Sequence, residues 1–258
     1  METVNQDNLN YLKEQVFYTG FGSMLDAPLI EQLQKQPKEF SLHFQTQFGN
    51  DKVQAQLQFS KSNQPDSNYY FFNDYKIAVA QEGKPTMQQQ FQVYPHNTIT
   101  LKEAYNLMQG RAVHKNLKSK EGNDYQAWVQ LDFKQHDKYG NYQQQKYHEG
   151  YGFDLEKTLA GYPIKELENE QLKTQLQERL KKGNPAPATL LENGKEEPIY
   201  IVANPRFKSV ILYNEQMQRL GQGNTKKQEQ RTTKKVAQKE GEDQSPSPSK
   251  RKRKGKAV

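Results

Sequence analysis

The charged residues of this chain divide it into a long near-neutral part and a basic C-terminal tail. Residues 221–258 contain 12 Lys/Arg and 4 Asp/Glu, whereas residues 1–220 contain 25 and 26. The tail ends in the cationic run 250–254, which directly follows the alternating Ser/Pro residues 245–249. Because the tail has few apolar side chains to bury, we expect it to stay disordered and the fold to form from the residues before it.

A flexible cationic tail is suited to binding a polyanion, most simply nucleic acid. Such a segment contacts phosphates, which position a protein without reading bases, so we expect binding to DNA or RNA with little sequence selectivity. The tail residues that we assign to this binding are Lys250, Arg251, Lys252, Arg253, Lys254 and Lys256. A solubilising tail without a specific partner, and contact with an acidic protein or membrane surface, remain as alternatives.

The composition excludes several classes of site. The chain has no cysteine, which rules out disulfides, thiolate metal sites and cysteine nucleophiles. No apolar run approaches the roughly 20 residues that span a bilayer, and residues 1–12 do not read as a secretory signal. We therefore expect a cytoplasmic protein without a membrane partner. With 33% hydrophobic residues and a mean hydropathy of −1.11, it should have small cores and wide solvated strand faces.

Residues 1–96 predict an N-terminal α+β module. Leu9, Leu12 and Val16 share a helical face that Gly20 interrupts, and a second helix ends before Pro37. Two strands with alternating apolar residues then flank a Gly-Asn-Asp turn, which is typical of a hairpin. An aromatic strand and a strand before Pro95 follow. This pattern predicts a meander sheet with two helices packed on one face; the strand segments are 40–48, 53–59, 69–80 and 91–93.

Residues 97–220 predict a second α+β module. Thr100 and Glu103 form a capping box for a helix that ends near Gly110. A polar loop, a hairpin, a helix capped by Asp154, an amphipathic helix and three short strands then follow. Their segments are 114–124, 125–134 with 142–151, 154–161, 172–180, and 188–192, 199–203 and 207–213. The fold class is thus α+β, with two modules, each a small mainly antiparallel sheet with a few helices. Whether the modules are diverged copies, as similar segments 54–59 and 126–131 suggest, stays open.

No catalytic or metal motif is recognisable, and we expect neither an enzyme nor a cofactor. There is no nucleophile elbow and no phosphate-binding Gly-rich loop. His136 and His148 could share a metal with a neighbouring carboxylate if the strand register allowed it, but surface histidines are the simpler interpretation. The acidic residues Glu166, Glu168 and Glu170 are typical of a solvated helix start.

The segment Gly150–Phe153 overlaps the aromatic signature that stacks bases on an RNA-recognition sheet. That signature begins with a cation, where this chain has Glu149, and it continues as a strand with apolar residues, where Asp154 and Glu156 stand here. Carboxylates beside a phosphate path oppose binding. We therefore expect a strand end followed by a helix cap.

The segment 111–120 is the candidate nucleic-acid contact outside the tail. It carries Arg111, Lys115, Lys118 and Lys120 without an acidic residue, and it leads to Trp128. Trp128 lies opposite the alternating apolar face of its strand, so we expect it to be partly exposed. A basic loop beside an exposed aromatic is typical of non-specific single-strand binding. The alternative is a solvated loop with Trp128 packed under the adjacent helix.

Several spaced motifs resemble one bacterial family, a domain of unknown function associated with conjugative and other mobile elements. The motifs are Gly110-Arg111-Ala112-Val113, Tyr125-Gln126-Ala127-Trp128, Leu131-Asp132-Phe133, Tyr151-Gly152-Phe153-Asp154-Leu155-Glu156, Tyr162-Pro163-Ile164 and Ala203-Asn204-Pro205. The resemblance covers residues 98–220. It implies a mobile-element context, sometimes with a linked type I topoisomerase and often with a Lys/Arg-rich tail, and it supplies no catalytic residues.

Two functions follow from these observations. The first is a non-catalytic accessory protein of a mobile element that binds nucleic acid mainly through its tail. The second is a protein-interaction adaptor whose sheet edges or tyrosine-rich faces bind a partner, such as a topoisomerase or a conjugation component.

Overall fold

The computed structural model describes residues 4–65, 67–95, 97–119, 121–192 and 194–221, which form an α+β fold with three small antiparallel sheets. The helices are α1 (Gln6–Val16), α2 (Asp26–Lys35), α3 (Leu101–Met108), α4 (Leu155–Ala160) and α5 (Glu170–Lys181). The strands are β1 (Glu39–Phe48), β2 (Asp51–Lys61), β3 (Tyr70–Ala80), β4 (Met87–Gln92), β5 (Val113–Lys118), β6 (Asp124–His136), β7 (Tyr142–His148), β8 (Ala186–Glu192), β9 (Lys195–Asn204) and β10 (Ser209–Tyr213). None of the helices in these ranges is long and apolar enough to cross a membrane.

The first sheet is the predicted meander, with strand order β1-β2-β3-β4. Phe59 lies opposite Phe72 and Leu57 opposite Tyr75, so the apolar residues of neighbouring strands share one buried face. A bulge at Asn73 supplies the extra residue between Phe72 and Tyr75. Without it, the simple alternation would turn one of these two rings towards solvent. The bulge therefore keeps both halves of β3 in the core.

Helices α1 and α2 pack on the buried face of this sheet, as predicted. Helix α1 is capped by the Asn5 side chain and buries Leu9, Leu12 and Val16. It runs into a π-helical turn, Phe17–Phe21, where Gly20 adopts a φ of 100°. The glycine signal in the sequence thus marks the point where the chain leaves the first helix.

The second sheet, in the order β5-β6-β7, lies between two hydrophobic cores. Val129 and Leu131 of β6 belong to the core of the first sheet, whereas Trp128 of the same strand belongs to a second core. The predicted loop 114–124 is wrong over its first half, because residues Val113–Lys118 form β5. Its alternation is hard to recognise, since polar and basic residues occupy most of this strand.

The third sheet, in the order β10-β9-β8, forms the second core together with α4, α5 and the Trp128 face of β6. The predicted cap of α4 is confirmed, since the Asp154 carboxylate accepts a 3.0 Å bond from the Lys157 amide. Several predicted strand limits are wrong. Strand β4 begins at Met87 and β9 at Lys195, each four residues before the predicted start. Strand β7 ends at His148 and a 3₁₀ turn, Glu149–Tyr151, follows, while the last strand begins at Ser209 because Pro205–Phe207 also form a 3₁₀ turn.

The first core draws residues from Leu9 to Leu131 and the second from Ala112 to Leu212. Helix α3 therefore packs with the first sheet, although it follows the predicted module boundary at residue 96. Asn106 of α3 is fully buried and connects the two parts. Its side-chain amide donates to the Lys182 carbonyl and to the Asn184 side chain, at 2.8 and 2.9 Å, just after α5.

Candidate nucleic-acid interface

Lys115, predicted as a free cation on a loop, is one half of a largely buried ion pair. Its Nζ lies 2.9 Å from Glu103 Oε2 and also donates to the Thr98 carbonyl at 3.0 Å. Glu103 simultaneously completes the predicted capping box of α3 by accepting from the Thr100 amide at 2.9 Å. The positive charge of Lys115 is therefore used inside the fold, and this geometry does not favour a phosphate contact.

Arg111 is also held by internal contacts. Its guanidinium donates to Asn106 Oδ1 at 2.7 Å and lies 5.4 Å from the centre of the Tyr105 ring. Burial lowers the pKa of Arg111 from its ordinary value, because removal from water disfavours the charged form. The guanidinium thus joins the network around Asn106 and is turned away from solvent.

Lys118 and Lys120 are the other two cations predicted to bind nucleic acid outside the tail, and the structure describes only Lys118. Lys118 is half-exposed and lies 2.9 Å from Asp124, across the end of the β5–β6 hairpin. Lys120 lies outside the described residues. The same holds for the tail residues Lys250, Arg251, Lys252, Arg253, Lys254 and Lys256. Their assignment to nucleic-acid binding stays a prediction.

Trp128 is buried, with 6% of the residue exposed, so the interpretation as an exposed aromatic is wrong and the alternative of a packed indole is confirmed. Its indole meets the His114 ring at 5.1 Å and the Phe153 ring at 5.4 Å, both edge-on. The alternation along β6 correctly separates Trp128 from Val129. It cannot show that a second core covers the opposite face of the strand, which is why the exposure is misjudged.

His114 lies beside Trp128 at an open cleft of about 580 Å³, which Glu149, Phe153 and Lys181 also line. Burial lowers the pKa of His114, and the nearby charge of Lys181 adds to this effect, whereas Glu149 opposes it. The ring is therefore more readily neutral than an exposed histidine. It is a packing partner of Trp128, directly across the strand pair.

The sequence suggested two other groups of titratable residues as candidate sites, a histidine pair and an acidic cluster. His136 pairs with Tyr142 at one end of the β6–β7 ladder and His148 with Ala127 at the other, so the register separates the two histidines. Over the described ranges, no group of three or more His, Asp or Glu side chains could hold a metal ion. Glu166 is not simply solvated, because it accepts from the amide and hydroxyl of Thr189 at 2.8 and 2.9 Å.

An aromatic and cationic turn, which the sequence alone did not single out, lies between β9 and β10. We call Arg206, Phe207 and Lys208, together with Tyr151, the 206–208/151 patch. The Tyr151 hydroxyl donates to the Arg206 carbonyl at 2.7 Å, across 55 residues of sequence. Lys208 Nζ lies 4.9 Å from the centre of the Tyr151 ring, and the Arg206 guanidinium 5.7 Å from the Phe207 ring.

The backbone at Lys208 holds this patch in shape. Lys208 has φ 47° and ψ 44°, the left-handed region that glycine or asparagine usually occupies. Its amide closes the turn by donating to the Pro205 carbonyl at 2.9 Å. A lysine here has about 1 kcal/mol or more of backbone strain. The one sequence signal was an aromatic between two cations after Asn-Pro, a pattern that also fits the start of a strand.

Three exposed tyrosines line a second surface feature. Tyr11, Tyr18 and Tyr94 border a shallow groove of about 300 Å³ between α1, the π-helical turn and the segment after β4. Their exposed fractions are 45%, 75% and 57%. We call this feature the tyrosine groove. Protein binding through a tyrosine-rich face, which the sequence suggested, stays a prediction.

No protein-family model, curated protein or solved structure matches this chain. The resemblance to a mobile-element family therefore stays a prediction.

Proposed function

We propose that this chain is a non-catalytic accessory protein that binds nucleic acid, mainly through its basic tail and with little sequence selectivity. The observation that carries the proposal is the division of charge. Residues 221–258 hold an excess of eight positive charges, and the remaining 220 residues are near neutral. Electrostatic attraction to phosphates is the interaction that such a segment offers.

The contacts of the folded part support this assignment of the main binding to the tail. Arg111 and Lys115 make internal hydrogen bonds, and Lys118 is paired with Asp124. Trp128 is covered by the second core. Among the described residues of segment 111–120, Arg111 and Lys115 are therefore engaged inside the fold and Lys118 is paired at the surface.

The proposal also covers how the chain is divided into modules and the genetic context in which it acts. We propose two α+β modules, 1–96 and 97–220, that present a tail to nucleic acid, with α3 docking onto the sheet of the first module. The mobile-element context rests on the resemblance of residues 98–220 to the family described above, and a cytoplasmic location is part of the same proposal.

The test is an affinity titration of the full-length chain in which the six assigned tail cations are replaced by glutamine. We expect a large loss of affinity for both single- and double-stranded DNA. The salt dependence of log K should become shallower by about 0.7 to 0.9 for each phosphate contact that is lost. The melting temperature should not change, because both cores lie before the tail.

A matched control removes six exposed lysines from the folded part, with the same change in net charge. The control residues are Lys38, Lys52, Lys76, Lys134, Lys138 and Lys195. If binding requires the tail itself, this control should lose much less affinity than the tail variant. Equal losses would show that only net charge matters, and an unchanged affinity of the tail variant would disprove the proposal.

The tyrosine groove favours the second candidate, a protein-interaction adaptor. Tyrosine is common at the centre of protein interfaces, because its ring buries a large area and its hydroxyl still finds a polar partner. If this function is correct, Tyr18→Ser should weaken binding to a purified topoisomerase or conjugation component and leave nucleic-acid affinity unchanged. Tyr139→Ser is the control, since Tyr139 is 76% exposed and lies outside the groove.

A further inference from the structure

The 206–208/151 patch differs from the other cationic surface that the sequence suggested. Among the described residues, neither Arg206 nor Lys208 forms an ion pair, and both side chains are exposed. Phe207, which lies between them, is 69% exposed. A large exposed apolar ring between two cations that lack a carboxylate partner among the described residues marks this turn as a candidate binding surface.

We propose that this patch binds single-stranded nucleic acid, with one base stacked on Phe207 and the adjoining phosphates bound by Arg206 and Lys208. The proposal rests on the function proposed above and adds a site in the folded part of the chain. Proteins that bind single strands combine cations that follow the backbone with aromatic rings on which bases stack. Both elements are present here within three consecutive residues.

The geometry keeps the patch ready for binding. The bond from the Tyr151 hydroxyl to the Arg206 carbonyl attaches the turn to the 3₁₀ turn that follows β7. The Lys208 amide closes the turn by donating to the Pro205 carbonyl, although the Lys208 backbone is strained. Strain of this kind persists where the surrounding structure enforces it, and such positions cluster at functional sites. The Tyr151 ring, 39% exposed, adds a second aromatic surface 4.9 Å from the Lys208 ammonium.

The acidic residues near the patch are largely engaged elsewhere. Asp154 caps α4 and pairs with Lys157, Glu156 pairs with Lys173, and Asp132 accepts a bond from the Lys134 amide. Glu149 lies only two residues before Tyr151 in the chain, so its negative charge should oppose an anionic ligand at the patch. Its charge should limit the affinity for nucleic acid, so a variant that removes this charge should bind more tightly.

A single strand fits this patch better than a duplex. Bases in a duplex are stacked and paired, so an exposed ring on a protruding turn has no base face to contact, whereas an unpaired base can stack on it. The stacked base and the phosphate are common to DNA and RNA. Nothing in the patch needs a 2′-hydroxyl, and we expect both polymers to bind with similar affinity.

The experiment compares full-length variants by fluorescence anisotropy with labelled oligothymidylate, oligouridylate and a mixed-sequence DNA duplex. Phe207→Ala should lower the affinity for both single strands by about tenfold, which is within the range known for the loss of one stacking ring. The affinity for the duplex should not change. Phe71→Ala is the control, because Phe71 is also a half-exposed phenylalanine but lies on the first sheet. It should change neither affinity.

Two further variants separate charge from folding. Lys208→Gly removes a cation while relieving the left-handed strain, so it should weaken single-strand binding and leave the melting temperature equal or higher. Gln36→Gly is the conformational control, since Gln36 is left-handed as well, with φ 50°, and lies far from the patch in sequence. Glu149→Gln should increase single-strand affinity by removing the opposing charge.

The outcomes distinguish this proposal from the one on which it rests. If neutralising the tail abolishes binding but Phe207→Ala changes nothing, the tail function stands and the patch proposal is overturned. Equal losses on single strands and duplex after Phe207→Ala would also overturn it, because stacking on an unpaired base predicts a difference. If tail and patch variants all bind like the parent chain, both proposals fail.

Discussion

Asn8 of α1 pairs with the backbone of Tyr70 as if it were a neighbouring strand. Its side-chain amide donates to the Tyr70 carbonyl at 2.9 Å, and its Oδ1 accepts from the Tyr70 amide at 2.8 Å. Gln89 makes the same double contact with the backbone of Tyr142, at 3.4 and 2.8 Å. Buried amides thus satisfy backbone groups where a sheet ends, and they attach a helix to the first sheet and the first sheet to the second.

We expect Asn8→Ala to destabilise the protein by about 2–4 kcal/mol, since it leaves a buried amide and a buried carbonyl of Tyr70 without partners. The measurement is urea unfolding of the full-length chain. Asn10→Ala is the control, because Asn10 is exposed on the same helix and its side chain accepts a bond from the exposed Gln6. A loss in Asn8→Ala no greater than in the control would show that the contact with Tyr70 contributes little.

Lys115→Ala should destabilise the protein by about 3 kcal/mol, because it leaves the largely buried Glu103 carboxylate without its cation. Replacing both residues, Glu103→Gln with Lys115→Met, should be milder than Lys115→Ala alone. Glutamine can still complete the capping box. Denaturant unfolding of Glu103→Gln, Lys115→Met and the double variant gives the coupling energy of the pair.

The exposed pair of Lys118 and Asp124 is the comparison for this prediction. Lys118→Ala should change stability by no more than about 0.5 kcal/mol, because water and salt screen exposed ion pairs. A similar small effect for Lys115→Ala would mean that Lys115 is not a structural residue, and its assignment to a free cationic surface would regain support.

Gly183→Ala should destabilise the protein by about 2–4 kcal/mol, through strain and overpacking together. Gly183 has φ 74°, and an added Cβ would lie 2.9 Å from the Ala112 carbonyl oxygen and 3.1 Å from Asn106 Cβ. Gly140→Ala is the matched control: its φ is 82°, but an added Cβ meets no atom within 4 Å. Thermal unfolding should therefore show only the strain, about 1 kcal/mol, in the control.

Trp128 is the only tryptophan, so its fluorescence reports directly on the second core. We expect a blue-shifted emission that iodide quenches poorly and that oligonucleotide does not quench. Phe153→Leu should shift the emission, because Phe153 packs edge-on against the indole. Strong quenching of the parent protein by oligothymidylate would contradict the burial of Trp128.

His114 predicts a loss of stability at acidic pH. Its pKa is lowered in the folded state, mainly by burial, so below about pH 6.5 the unfolded chain binds a proton more readily than the folded chain. The contribution of His114 to the free energy of unfolding is fully present above that pH. It is lost as the pH falls through the lowered pKa of the folded state. His114→Gln should flatten this part of the curve of unfolding free energy against pH.

Local signals in the sequence account for most of the elements. The Thr100–Glu103 box and the Asp154 cap are confirmed, because a cap needs only residues three positions apart. The meander is confirmed as well, since alternate apolar residues on adjacent segments specify the register. Strand β5 was harder to recognise, because Lys115 occupies a core-facing position that becomes tolerable only through its contacts with Glu103 and the Thr98 carbonyl.

The sequence alone determined where charge and apolar surface lie along the chain: the basic tail, the helix caps and the buried face of the first sheet. These features depend on neighbouring residues and on the periods of helix and strand. Tertiary structure alone decided which side chains are free. Trp128 is buried because a second core covers the outer face of β6, and Tyr151 meets Arg206 across 55 residues because the 3₁₀ turn after β7 lies against the β9–β10 turn. No local pattern encodes either contact, since each depends on how separate sheets pack in three dimensions.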